Sequence, residues 1–266
     1  MNSENQKTII FLHIPKTAGR TVNSIIRSQY EPASFFSNGE AVISRFGKDW
    51  LKRTDSERWK TSEEILANLP ESEKRNIKII FGHMNFGRHV HLPQPCTYFT
   101  LLRNPIDRVI SYYYHLMRME GHSLYNSIVS KKLTIGEWVK SGYTFSVDNG
   151  QTRMISGIGD SIEYGKCGIE ILEKAKNNIK EHFSIVGLTE EFDKTLALLK
   201  RMFKWRVSTY KKQNVTKNRP QMKEIPKKDL QIIEKYNYLD IALYDYIKKI
   251  FNKLIQNQDL LFERVV

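Results

Sequence analysis

Short apolar, β-branched runs alternate along this chain with longer stretches whose apolar residues recur at helical spacing. Thr8–Ile14, Ile77–Phe81, Thr97–Arg103 and Ser184–Leu188 read as strands. Gly19–Ser28, with Val22, Ile25 and Ile26 on one face, reads as a helix, as do Gly168–Glu181, Glu190–Phe203 and a final segment over Ile241–Ile255. Asn104 and Pro105 open a further helix with proline at its first position, and apolar residues at 106, 109, 110, 113 and 117 have the spacing of a buried face. Thr134 with Glu137 predicts a short helix running to Lys140. Between the first two strands lies a polar stretch, Glu31 to Lys78, in which Thr61 and Glu64 form a candidate capping box. Tyr210 to Lys228 is basic and irregular. Apolar strands separated by helices predict an α/β fold with a central, mostly parallel sheet covered on both faces. Without an internal repeat or a linker-like stretch, the expectation is a single domain over residues 1–266.

The most informative junction is the end of the first strand. The apolar run from Ile9 stops at Pro15 and gives way to Lys16-Thr17-Ala18-Gly19-Arg20-Thr21, after which helical spacing begins. Strand, tight loop and helix N-terminus together build an anion site, because the unpaired N–H groups of the first turn and the helix dipole both favour negative charge. Lys16 adds a positive charge, and the Thr17 and Thr21 hydroxyls can donate to oxyanions. The loop departs from the G-x-x-x-x-G-K-[ST] nucleotide loop: its lysine precedes its only glycine, and it is shorter. A phosphate- or sulfate-like ligand is the expectation here; an ordinary strand-to-helix corner is the alternative.

Charge sharpens that picture. The formal net charge is +13, so the partner is expected to be polyanionic: a multiply phosphorylated nucleotide, an acidic glycan or a nucleic acid. The positive charge is spread along the chain rather than gathered in one arm, and no RNA- or DNA-binding signature is visible, which argues against nucleic acid. Cys96 and Cys167 form no C-x-x-C pair and read as reduced, structural thiols. No apolar run approaches the about 18 residues that read as a membrane span, and no signal-peptide pattern opens the chain, so the expectation is a cytoplasmic protein without a span.

A second constellation follows the third strand. Arg103 stands where that strand ends, and Ser111 lies about two turns into the next helix, off its apolar face. An arginine fork with a neighbouring hydroxyl can grip another phosphate. Ligands of open α/β sheets sit outside the carboxyl ends of the strands, so both anion grips can face one crevice. For Arg108, pairing with a surface carboxylate is an equal alternative.

At these residues a resemblance emerges. The segment from His13 to Thr21, together with Leu102 to Tyr114, resembles the two nucleotide-binding signatures of sulfotransferases that use 3′-phosphoadenosine 5′-phosphosulfate (PAPS). Within that family the pattern resembles the heparan sulfate/uronyl 2-O-sulfotransferase type and related bacterial proteins. Phe81 to Phe86, Gln151, Phe183 to Glu191 and the basic loop near Lys217 extend the resemblance over most of the chain. It implies a variant of the P-loop-kinase three-layer fold. Lys16, Thr17, Ala18, Gly19, Arg20 and Thr21 would hold the 5′-phosphosulfate, Arg103 with Ser111 the 3′-phosphate, and the loop Asn214–Arg219, with Lys217 and Arg219, would close over the nucleotide. The product would be 3′-phosphoadenosine 5′-phosphate (PAP).

Sulfuryl transfer to a hydroxyl needs in-line geometry, stabilisation of charge on the departing phosphate oxygen and removal of the acceptor's proton. Lys16 suits the leaving oxygen. His83 is the candidate base: it follows Ile79-Ile80-Phe81-Gly82, emerges at a strand end, and matches the family's catalytic histidine. Family members acting on glycosaminoglycans carry another histidine where this chain has Phe81, which loosens the inference about the acceptor more than about the reaction. His13 is read as orienting the loop, His89 and His91 as possible lining of the acceptor cleft, and His115 and His122 as peripheral. Gln151 and Arg153 are candidate acceptor-orienting residues, a satisfied buried pair being the alternative. Lys211, Lys212, Lys217 and Arg219 form a charge run, and Asn214-Val215-Thr216 fits a glycosylation sequon without a secretory signal to support it. No metal is required by this chemistry, and no D-x-D or metal-holding aspartate follows an apolar strand. The reading is a PAPS-dependent O-sulfotransferase acting on an acceptor hydroxyl of a carbohydrate or polysaccharide, an acidic glycan being one such acceptor; a nucleotide-dependent kinase and a basic nucleic-acid binder are the rivals.

Overall fold

In a computed structural model, residues 7–211 and 220–262 are described. Five parallel strands form one sheet in the order β2-β3-β1-β4-β5: β1 (Thr8–Leu12), β2 (Phe35–Ser37), β3 (Ile79–Gly82), β4 (Cys96–Leu102) and β5 (Phe183–Leu188). The expected mostly parallel sheet is entirely parallel. β1 and β3 are buried along almost their whole length, with no alternation of exposed residues, as expected of strands covered on both faces by helices.

β1 lies between β3 and β4, so the connections leave it in opposite directions. That is the switch point at which an α/β sheet opens a crevice beyond its carboxyl ends. Register fixes what meets there. Leu12 pairs with Gly82, so His13 and His83 follow side by side. The His13 N–H donates to the Gly82 carbonyl (3.1 Å), and the Thr100 hydroxyl donates to the Leu12 carbonyl (2.6 Å).

The flanking helices come from the expected segments and from several that periodicity leaves unmarked. α1 spans Gly19–Gln29 and buries Val22, Ile25 and Ile26. The polar stretch before β3 is not loop: it holds α2 (Asn38–Phe46), α3 (Asp55–Ala67) and α4 (Glu71–Asn76) as well as β2. The capping box in this stretch is Thr54 with Glu57, at the start of α3; Thr61 lies inside that helix. α5 (Pro105–Leu116) begins as expected, with Asn104 Oδ1 accepting from the N–H groups of Ile106 and Asp107. It ends before Met117, which is 37% exposed rather than part of the buried face.

α6 (Ser123–Val129) and α7 (Ile135–Lys140) follow, the latter with the Thr134/Glu137 capping box in place. Asp148-Asn149-Gly150 starts a helix rather than breaking one: Asn149 is left-handed, and α8 runs Gly150–Ser156. α9 (Ile169–His182) and α10 (Phe192–Phe203) match expectation. α11 (Lys227–Tyr236) is an addition, and α12 (Tyr238–Phe262) is longer than the sequence pattern suggests. Two apolar clusters result, one around the sheet and one, centred on Trp138, between α5, α7 and α11. Among the described residues no helix is long and apolar enough to cross a membrane. Cys96 and Cys167 are both unbridged, and burial pushes each thiol up to about 11.

Candidate active site

A cavity of about 480 Å³ opens at the switch point. One part of its wall is the loop after β1 and the first turn of α1: Lys16, Ala18, Gly19, Arg20 and Thr21. Lys16 and Ala18 both have left-handed backbone, with φ of +71° and +63°, which turns the chain sharply into the helix. Thr17 does not face the cavity. It is fully buried and its hydroxyl donates to the Ile14 carbonyl (2.9 Å), so it braces the loop and does not offer a proton to a ligand. Gly19 is required by space: a Cβ there would fall 1.7 Å from Nε2 of His13.

The second expected grip faces the same cavity, which Arg103 and Ser111 both line. Arg103 Nη1 donates to the Lys16 carbonyl (3.2 Å), tying the end of β4 to the loop after β1. Gln151 holds the Arg103 peptide from both sides: its Oε1 accepts from the Arg103 N–H and its Nε2 donates to the Arg103 carbonyl, each at 3.0 Å.

Gln151 is therefore a support for the arginine, buried away from the cavity. Arg153 is likewise buried, paired with Asp148 (2.5 Å) and donating to the carbonyls of Asp148, Gly159, Ile162 and Glu163. Neither side chain reaches a position from which it could orient an acceptor. Arg108 also differs from expectation: it is wholly buried, facing Asp240 (3.5 Å) and donating to the Ser146 carbonyl (2.6 Å). Lys217 and Arg219, with the rest of Asn214–Arg219 and Lys212, lie outside the described residues; Lys211 is exposed.

His83 projects into the cavity from the end of β3. Its Nδ1 lies 2.7 Å from the His13 carbonyl oxygen, and a carbonyl only accepts, so Nδ1 carries a proton and Nε2 is the ring nitrogen left to accept one. His83 keeps an exposed surface within the cavity, yet its pKa is lowered from the ordinary value, chiefly by partial desolvation there, with Arg58 and Lys16 adding to the effect and the His13 carbonyl and Asp55 opposing it. A neutral imidazole with a free Nε2 is the form a general base needs. The ring stacks on His13, centroids 4.1 Å apart.

The remaining wall was not legible as a site in the sequence. Trp50, Asp55 and Arg58 come from the segment before β3, and Met119 and His122 from the turn after α5. Asp55 is held by Arg58 (2.8 Å), the Tyr112 hydroxyl (3.2 Å) and the Ser146 hydroxyl (3.4 Å), and the Arg58 guanidinium lies over the Trp50 ring (5.5 Å). Thr189 and Phe192, at the end of β5 and the start of α10, close another side. His115 and His122 line the cavity rather than the periphery; His115 follows Ser111 by one helical turn, a spacing that could have marked it. His89 and His91 are elsewhere, engaged by the Tyr98 hydroxyl (3.0 Å) and Glu63 (3.0 Å). Among the described residues no group of three or more His, Cys, Asp or Glu is arranged to hold a metal ion.

His115 is pushed down to about 3, by burial first and then by Lys16, Arg20, Arg118 and His122. In the unfolded chain it returns to the ordinary 6.5. Between those values the unfolded state binds more protons, so stability rises with pH across the window and is lost as pH falls below 6.5. The apparent Tm is therefore expected to drop on acidification from neutral pH, and to drop less in a His115→Gln variant. Parallel curves for the two proteins would clear His115 of the effect.

The architecture agrees with comparison to known proteins. Residues 1–247 match the model of the sulfotransferase family. Human heparan-sulfate 6-O-sulfotransferase 3 is 26% identical over 285 residues, covering 95% of this chain and 59% of the relative. Human heparan-sulfate 6-O-sulfotransferase 1 is 28% identical over 276 residues (93% and 66%), and chicken heparan-sulfate 6-O-sulfotransferase 2 is 25% identical over 290 residues (94% and 68%). The chain thus spans about three-fifths to two-thirds of the length of these relatives, whose names specify 6-O rather than 2-O transfer. With a family match running almost from end to end, the chain belongs to the sulfotransferase family.

Proposed function

We propose that the protein moves a sulfuryl group from PAPS to a hydroxyl of a carbohydrate, acting as one domain over residues 1–266. The observation that carries this reading is His83: an imidazole whose Nδ1 lies 2.7 Å from the His13 carbonyl oxygen, in the same cavity as two cationic groups. The chemistry of the donor set suits a nucleotide with anionic groups at both ends. Lys16, Arg20, Thr21 and the first-turn N–H groups of α1 would take the 5′-phosphosulfate, and Arg103 with Ser111 the 3′-phosphate. Phe192 would supply an aromatic surface for the adenine ring, and Thr189 a hydroxyl without a partner among the described residues.

The acceptor would enter along Trp50, Arg58, Met119 and His122. Its oxygen attacks sulfur as the bond to the bridging phosphate oxygen breaks. His83 Nε2 takes the hydroxyl proton, and Lys16 meets the charge left on the phosphate. Asp55 is the one carboxylate lining the cavity among the described residues, and Arg58, Tyr112 and Ser146 already engage it. That occupancy disfavours a kinase, which needs a carboxylate to hold magnesium.

A thermal-shift comparison tests the reading. PAP at about 100 times its Kd is expected to stabilise the protein by about 2.7 kcal/mol, whereas ATP with magnesium leaves the Tm nearly unchanged. Stabilisation by ATP and magnesium alone would overturn the proposal in favour of phosphoryl transfer.

A further inference from the structure

We propose that His13 is a positioning residue for His83: its ring face and its carbonyl oxygen together hold the His83 imidazole with Nε2 turned to the acceptor. The proposal rests on the reading of His83 as the base.

Each contact follows from the parallel register of β1 and β3, which places residues 13 and 83 next to one another beyond the paired Leu12 and Gly82. The carbonyl of residue 13 accepts from His83 Nδ1 at 2.7 Å, which sets the tautomer. The His13 ring lies 4.1 Å from the His83 ring at 29°, which restrains rotation about the final side-chain torsion. His13 is itself held in a slot. It stacks on Phe11 (5.4 Å, 11°), and its Nε2 edge fills the space that a side chain at position 19 would occupy. The slot leaves the ring 6% exposed, and Nδ1 has no hydrogen-bond partner in it. A phenylalanine would fill the same space without an orphaned nitrogen, so the slot demands the ring's shape and face rather than its polarity.

Neutral His13 is also what the reaction requires. When His83 Nε2 takes the acceptor proton, positive charge spreads over a ring stacked on His13, and two imidazolium rings at that distance would repel. Burial, His83, Lys16 and Arg20 keep His13 well below the ordinary histidine range. The developing charge on His83 strengthens its Nδ1–H bond to the residue 13 carbonyl, so the carbonyl contributes most as the proton arrives.

Imidazole ¹⁵N NMR of the donor-free protein at pH 8 reads the arrangement directly. In the wild-type protein His83 is expected as a single tautomer protonated at Nδ1. His13→Phe keeps the face and the carbonyl, and should retain that tautomer and turnover within about threefold. His13→Leu keeps volume but not the planar face. It should give mixed tautomers and about 10- to 100-fold slower sulfuryl transfer, with PAP affinity unchanged.

Wild-type His83 protonated at Nε2 would overturn the proposal whatever the variants do. So would a folded His13→Leu protein that keeps the single tautomer, or a folded His13→Phe protein that loses it. PAP binding separates these results from failure of the functional reading: binding with the wrong tautomer refutes the brace alone, and the expected tautomer without binding refutes the sulfotransferase assignment alone.

Discussion

Replacing His83 with alanine is expected to lower turnover by about 10²- to 10⁴-fold while PAP affinity stays within about twofold. On the proposed mechanism the base acts on the acceptor's proton, so its loss is expected in the chemical step. The residues proposed to grip the nucleotide, Lys16, Arg20, Arg103 and Ser111, belong to other elements and should be untouched. Lys16→Ala is expected to divide the effects differently, because the lysine is proposed both to bind the donor and to meet the charge on the leaving oxygen; affinity and turnover should fall together. The pH profile gives a second check. Because the surrounding protein lowers the His83 pKa, the acid limb of kcat should lie below the ordinary imidazole range. Single-turnover rates with bound PAPS, compared with calorimetric PAP affinities, decide the matter. Full turnover by a folded His83→Ala protein would remove the residue from the reaction.

Asp240→Ala is expected to be the most damaging single change to the fold, at about 3–5 kcal/mol. Asp240 is wholly buried and carries four obligations at once. It accepts from the Gln151 N–H (3.1 Å), the Thr152 N–H (2.7 Å) and the Thr152 hydroxyl (2.8 Å), and it faces Arg108 (3.5 Å). Two guanidinium nitrogens of Arg108, Nε and Nη1, already lack partners among the described residues, so removing the carboxylate strands a buried charge. Gln151 is the residue that clamps the Arg103 peptide, so the damage should reach the donor site as weaker PAP binding. Urea unfolding measures the first effect and calorimetry the second. A double variant, Asp240→Leu with Arg108→Met, removes both charges and should recover much of the lost stability. A loss below about 1 kcal/mol in Asp240→Ala would show that this cluster does not secure the fold.

Where the sequence was legible, a local pattern carried the information. The ends of β1 and β4 are written in apolar runs that stop at Ile14 and Leu102, and the residues beyond them face one crevice because parallel strands end on the same side. Where it was not, the information was non-local. β2 is three residues long, too short to declare a period. In α3 only Ser62 and Leu66 are buried, so no apolar stripe marks that helix. Thr54/Glu57 and Thr61/Glu64 both fit the capping pattern, and the choice between them depends on where the chain enters the helix.

Gln151 and Arg153 look like site residues because they follow Asp148-Asn149-Gly150 in a segment that resembles the family's acceptor side. Their partners, Arg103 for the first and Asp148 with distant carbonyls for the second, appear only once the chain is folded. Trp50, Asp55 and Arg58 belong to no local motif; only the return of the chain from β2 to β3 brings them against His83.

The left-handed turns at Lys16 and Ala18 have a kinetic consequence. Such backbone costs roughly 1–2 kcal/mol for each non-glycine residue, and the loop has met that cost by folding, with Thr17 pinned to Ile14 and the Lys16 carbonyl pinned by Arg103. A turn already formed in this way is expected to need little rearrangement when a polyanion arrives. Capture should then be set by diffusion through the field of the surrounding cations, quickening as salt is withdrawn, with no slow isomerisation contributed by this loop.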